Sequence, residues 1–359
     1  MNYTETGCLS PPVPFLEREV YLRTKLIMPA FLYLLLLFAP VSLYAADMEI
    51  SPFKTNNQSP LVIIQPLPAE SSALISPKGK FSSALTFDLA SNYTSSATDS
   101  EQVLLDGESY RWTLSNRYGF TDKLEAGIEI PWIVQSGGFL DSFIIDWHDT
   151  FGMPQGGRDS ALKNRINYSY TKSGSQKLLL DSSDSGLGDI VLTGGMKLYE
   201  EKSSAVHDAL ALRTTVKLPT GGSNKLRGNG AFGGTVSLCG ASNHFTEWGA
   251  LGLFGSVGGM ISAKGDVLKD QQEPFAAFGT FGLGMGPAPW ISFKVQINAN
   301  TPLYKDSSLD ELSKSGVMLI VGGALQLPAD YQLDIGVSED ISVATAPDVA
   351  FHLGLSKVY

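Results

Sequence analysis

The sequence predicts an all-β protein: a transmembrane antiparallel β-barrel of about 12 strands, with one long loop that contains an amphipathic helix. Three observations predict it. Long segments alternate apolar and polar residues, the links between them alternate short and long, and a charge-poor chain opens on an export signal.

Charged residues make up 17% of the 359 residues, and mean hydropathy is +0.04 with 37 glycines. Soluble domains carry roughly 25% charged residues. A soluble domain this poor in charge would expose too much apolar surface, whereas a barrel between lipid and water needs this mixture. The expected partners are outer-membrane lipid, the barrel-assembly machinery and a small-molecule solute. No nucleic-acid partner is expected for a chain of net charge −10.

Residues 1–45 read as a signal peptide. Arg18, Arg23 and Lys25 precede the apolar run Leu26–Phe38, and Ser42-Leu43-Tyr44-Ala45-Ala46 resembles a cleavage region, with cut after Ala45. The run is about 13 residues, short of the ~20 a spanning helix needs. Its removal takes three basic and three acidic residues, so the net charge stays at −10. The stretch before Arg18 is long and Pro-rich, which suggests translation starting near Val20. Cys8 leaves with the signal, so Cys239 has no intramolecular partner. Residues 46–79 are expected as a periplasmic N-terminal segment and 80–359 as the barrel.

Strand side chains point alternately to opposite faces. Over 81–93 one face reads Phe81, Ser83, Leu85, Phe87, Leu89, Ser91, Tyr93, and the other is small or polar. Over 110–120 Tyr110, Trp112, Leu114, Tyr118 and Phe120 alternate with Arg111, Thr113, Ser115 and Arg117. Over 124–134 Leu124, Ala126, Ile128, Ile130 and Trp132 alternate with Glu125, Gly127 and Glu129. The pattern recurs at 210–218, 291–299, 331–337 and 349–359, and is blurred by glycine in 246–263 and 275–286. Segments of about 10–13 residues exceed globular strands and suit a tilted membrane crossing. Aromatic residues near segment ends suit the interface belts.

The strands fall near 80–94, 109–120, 123–134, 186–199, 206–219, 229–241, 246–263, 275–286, 289–301, 315–327, 330–340 and 346–358. Short links alternate with the longer polar loops 95–108, 135–185, 220–228, 264–274, 302–314 and 341–345. That is the arrangement of an outer-membrane barrel in a Gram-negative cell. Backbone polar groups cannot stay open in lipid, and an even count lets the sheet close. The final Phe351–Tyr359, an alternating strand ending on an aromatic residue, resembles the signal read by the barrel-assembly machinery, although Lys357 departs from it.

Residues 135–185 exceed a mere connection. Phe139, Phe143, Trp147 and Phe151 recur every four residues, with His148 beside them and Leu140 and Ile144 adjoining. They predict an amphipathic helix acting as a lid or plug, or packed on the barrel wall. By the alternation, Asp88, Arg111, Arg117, Glu125, Glu129, Asp189, Lys197, Arg213, Lys217, Lys294 and Asp334 point inward and line the pore. Both signs occur, so these charges either select solutes or pair across the lumen and fill it.

No catalytic residue, metal site or cofactor emerges. Asp146-Trp147-His148-Asp149 with Arg158 is a weak acid–base pattern, and no Ser stands in a nucleophile elbow. Asp181–Gly186 with Asp189 misses the spacing of a calcium loop. Gly282–Gly286 precedes Pro287 rather than a helix, so it is no nucleotide fingerprint.

Three stretches carry a resemblance: Pro52–Leu61, Asp141–Arg158 and Ser185-Gly186-Leu187-Gly188-Asp189. Together they resemble an uncharacterised bacterial outer-membrane family, domain of unknown function 3187. Gly186–Asp189 and Leu218-Pro219-Thr220-Gly221 are also similar to barrel proteins of phenol-degradation operons. The resemblance implies an outer-membrane location and carries over no site residues. The expected role is a channel or transporter for a small solute, hydrophobic solutes included, gated by the long loop. An outer-membrane enzyme acting on lipid or glycan, or a structural or surface-recognition barrel, are the competing expectations.

Overall fold

The computed structural model describes residues 48–70, 72–152, 157–158, 161–341 and 345–359, without the side chains of Trp147, His148 and Phe151. The signal-peptide reading of 1–45 lies outside the described residues.

The strands are β1 (Phe81–Ala97), β2 (Glu101–Gly119), β3 (Leu124–Ser136), β4 (Asn167–Lys172), β5 (Ser175–Leu180), β6 (Asp184–Leu187), β7 (Val191–Lys202), β8 (Val206–Lys217), β9 (Gly233–Thr246), β10 (Gly249–Ser262), β11 (Phe275–Ala288), β12 (Ile291–Asn300), β13 (Gly316–Leu327), β14 (Tyr331–Asp340) and β15 (Val349–Val358). Two helices join them, α1 (Asp141–Phe151) and α2 (Asp310–Ser313).

Twelve of these strands form the wall. Each pairs antiparallel with its neighbours from β1 through β3, then β7 through β15, and β1 closes the ring on β15 from Ser82 opposite Val358 to Ser91 opposite Val349. Closure leaves no open edge among the wall strands, which is the condition for a sheet in hydrocarbon. The remaining three lie outside the ring: β4 pairs with the start of β2, β5 with β4, and β6 with the end of β3. They raise one side of the rim, which explains why β2 runs 19 residues. Two wall strands start and end later than the alternation places them, at 191–202 and 233–246, because Asp184–Leu187 and Ser223–Lys225 form separate elements at the rim.

Short turns and the two ends of the wall, Phe81 and Val358, share one rim, and the long loops share the other. By the usual asymmetry of such barrels the first rim is periplasmic. Outward side chains such as Leu85, Trp112, Leu192, Leu253, Val257, Leu283 and Leu355 are apolar and exposed, a surface suited to lipid.

The segment 46–79 departs from its expected periplasmic position: residues 48–70 and 72–76 run inside the barrel. The ascending limb begins at the periplasmic rim, where Glu49 meets His207 at 2.5 Å and Lys202 at 3.2 Å. It climbs past mid-wall to Asn57, whose Nδ2 donates to Thr345 O in an outer loop. A turn over Ser59–Ile64 follows, with Val62 N and Ile63 N donating to Ser59 O. The descending limb returns to Ser76 beside the start of β1.

Backbone polar groups explain why this segment can stay inside. Buried N–H and C=O groups need partners, and luminal side chains supply them. Gln296 accepts from Phe53 N at 2.7 Å and donates to Phe53 O at 3.2 Å, standing in for a neighbouring strand. Asn243 accepts from Ile50 N, Lys294 donates to Ser51 O and Asn298 donates to Thr55 O. On the way down Arg213 donates to Ser72 O and Leu74 O, and Ser76 N donates to Glu125.

The apex is apolar. Leu61, Val62, Ile63 and Ile64 join a core with Val103, Leu105, Tyr168, Tyr170, Leu303, Leu309 and Leu312 from the outer loops and rim. Tyr304 fastens it, accepting from Gln65 Nε2 and donating to Leu61 O at 2.7 Å. Burial raises the Tyr304 phenol above its ordinary pKa, so it keeps its donor proton.

Candidate functional site

The lumen is the candidate site, and its wall is a lattice of ion pairs. Asp88 bonds Thr55 Oγ1 at 2.7 Å and His352 Nδ1 at 2.7 Å. Glu129 pairs with Lys54 of the ascending limb at 2.7 Å and with Arg117 at 3.4 Å. Glu125 pairs with Arg213, Asp189 with Lys217, and Lys294 with Asp334 at 2.5 Å. Lys217 also donates to Asn229 and Ala231 O, and Lys294 stands 4.1 Å over the Phe53 ring. Lys197 is different: it pairs with Glu200 near the periplasmic rim, at 2.6 Å. Arg111 faces the same interior and makes no ion pair among the described residues.

Thus ten of the eleven charges expected to line a pore bond to one another or to nearby polar groups, several of them on the luminal segment. Removing two charges from water costs several kcal/mol each, and only close pairing with further hydrogen bonds offsets that. The lattice therefore serves the segment as its socket.

Glycines shape the socket where the segment comes closest. A Cβ on Gly252 would meet Ile50 Cβ at 2.4 Å, and one on Gly284 would meet Ile50 Cγ2 at 2.8 Å. Ile50 packs there with Ala250 and Phe254. Phe53 packs on Met318 and Ile320, with the His352 ring edge-on at 6.1 Å. The residues that sequence reasoning missed are these partners, from Ile50 to Gln65, together with Gln296, Asn243 and Asn298. One signal was available: β12 turns Lys294, Gln296 and Asn298 inward, an alternation too rich in long polar side chains for an empty lumen.

Beside the descending limb a cavity remains, about 810 Å³ when space continuous with solvent is counted. Ile63, Gln65 and Pro66–Glu70 form one side, and β2, β3, β7, β8 and β9 form the other.

The helix of the long loop forms at Asp141–Phe151. Leu140 and Ile144 are buried, whereas Phe139 and Phe143 are 63% and 50% exposed. The Trp147, His148 and Phe151 side chains lie outside the described residues. Glu108 accepts from Phe139 N and Leu140 N, satisfying orphan donors at the helix start. Arg158, weighed as part of an acid–base pattern, instead ties the loop down: it donates to Asp141 at 2.7 Å, Ser91 at 2.8 Å and Asp348 at 2.6 Å. Among the described residues no group of three or more His, Cys, Asp or Glu side chains could hold a metal ion.

A family described as "Protein of unknown function (DUF3187)" matches residues 32–359. No curated protein sequence matches the chain. Among solved structures, the COG4313 outer membrane channel from Pseudomonas putida F1 is similar, with a TM-score of 0.51 at 16% identity over 81% of this chain and 99% of that one. LpxR from Salmonella typhimurium follows at 0.39 and 9% identity, over 76% of this chain and 99% of that one. The Pseudomonas putida toluene transporter TodX reaches 0.31 and 10%, over 89% and 98%. The first of these likenesses shows a shared fold; the other two carry no argument.

Proposed function

The chain belongs to the DUF3187 family, and from that premise we propose that it is a passive, non-enzymatic outer-membrane channel for small solutes, hydrophobic ones included, closed by its own N-terminal segment. It is delivered through a cleaved signal peptide and inserted by the barrel-assembly machinery. The observation that carries this reading is residues 48–70 and 72–76 running up and down inside a closed twelve-stranded wall. The ascending limb is held mostly by hydrogen bonds to amides and ion pairs, the neutral bonds each worth about 1 kcal/mol net and those to charged groups about 1.5–3 kcal/mol. Such a segment can leave the lumen without unfolding the wall, since the wall strands satisfy one another. The fold shared with the COG4313 channel supports the reading.

The gate is the luminal segment rather than the helix of the long loop, beside which Phe139 and Phe143 are exposed. Planar-bilayer conductance tests this. Mature protein is expected to show a small, intermittent conductance, and protein lacking residues 48–70 a large steady one. A barrel that conducts nothing in either form, and passes no solute into liposomes, would be a structural or surface-recognition barrel instead.

A further inference from the structure

Four basic side chains line the cavity beside the descending limb: Arg111, Arg117, Arg213 and Lys217. Three are committed. Arg117 stands 3.4 Å from Glu129, Arg213 pairs with Glu125, and Lys217 with Asp189. Arg111 is not. Its cross-strand neighbour Asp88 has Oδ1 taken by Thr55 and His352. The other carboxylates near it are Glu129, held by Lys54 and Arg117, and Asp189, held by Lys217 and Gly221 N. Arg111 Nε is buried with no hydrogen-bond partner.

A second unsatisfied group lines the same cavity, level with Arg117 rather than with Arg111. Thr193 Oγ1, on β7, is buried without a partner. Buried polar atoms without partners are rare and call for an explanation. The mixed lining also holds apolar side chains, Pro131, Ile133 and Val191 on the wall, Ile63 on the segment and Phe278 on β11, beside the carboxylates Glu70, Glu129 and Asp189.

Resting on the channel reading above, we propose that this cavity is a binding site for a small monocarboxylate with a compact apolar body. The Arg111 guanidinium, a planar fork suited to a carboxylate, holds the charge. The Pro131–Ile133–Val191 wall and Phe278 cover the body. The solute class is thereby an amphiphilic anion rather than a neutral hydrocarbon.

The test is calorimetric titration of the full mature protein in detergent with benzoate, against benzyl alcohol as its uncharged counterpart. Benzoate is expected to bind saturably and at least about tenfold tighter than the alcohol, the scale of one hydrogen bond to a charged group. Arg111→Met should lose about tenfold or more, and Thr193→Val, at the level of Arg117, should lose nothing. Heat-dependent gel mobility shows whether each variant still closes its barrel. Benzoate binding that is absent, or equal in Arg111→Met and wild type, overturns the site. Liposome flux separates it from the channel reading: solutes that pass without benzoate binding leave the channel and remove the site, whereas benzoate bound but never transported leaves the site and removes the channel.

Discussion

Ile50 occupies the space that a side chain at Gly252 would need, with 2.4 Å between the Ile50 Cβ and a Cβ built on the glycine. Real Cβ atoms essentially never approach so closely, so the luminal segment and a larger residue at 252 exclude one another. Gly252→Val should therefore expel the ascending limb while the wall still forms. The measurement is bilayer conductance, which should rise toward that of the segment-free barrel. Unchanged closure would mean that Ile50 is not the anchor.

Lys294 is buried and joins Asp334, Ser51 O and the Phe53 ring. Removing one partner of a buried pair leaves an uncompensated charge and costs about 3–5 kcal/mol. Lys294→Met should lower folding stability in urea by that order, and Lys294→Met with Asp334→Leu should recover most of it. Two additive losses would show that the residues are not coupled.

On the long loop, Ile144 is buried and Phe143 half exposed. Ile144→Ala should cost about 2 kcal/mol or more of local stability and speed proteolysis of the loop. Phe143→Ala should change protection little. The reverse ranking would restore the aromatic face as the packed one.

Outward residues should respond to charge by depth. Val257 lies midway along β10 and Trp248 in the short turn before it. Val257→Arg is expected to cost about 2–4 kcal/mol on folding into bilayers and Trp248→Arg about 0–1 kcal/mol. Equal costs would place the hydrocarbon band elsewhere.

The wall was legible because its cause is local. A strand between lipid and a polar interior must alternate, so Tyr110–Phe120 and Leu124–Val134 declare themselves. The plug was not, because nothing local holds it. Phe53 is satisfied by Gln296, 243 residues away, and a segment bonded to side chains rather than to a strand shows no period. The inward charges were readable from alternation, but alternation cannot say whether Glu129 meets water or Lys54. The helix was readable as a helix, but not that Leu140 and Ile144 would be the buried pair. Phe139–Phe143 and Leu140–Ile144 are both four-residue stripes, one position apart, and spacing alone does not choose between them.

The account turns on the N-terminal segment lying within the wall, and cross-linking tests that most directly. Thr55 Oγ1 and Asp88 Oδ1 are 2.7 Å apart, on the segment and on β1. In a Cys239→Ala background, Thr55→Cys with Asp88→Cys should form a disulfide in intact outer membranes on mild oxidation. The expected result is near-complete cross-linking that holds the channel shut until reductant is added. Failure to cross-link, with Thr55→Cys freely labelled by a bulky maleimide from the periplasmic side, would contradict it.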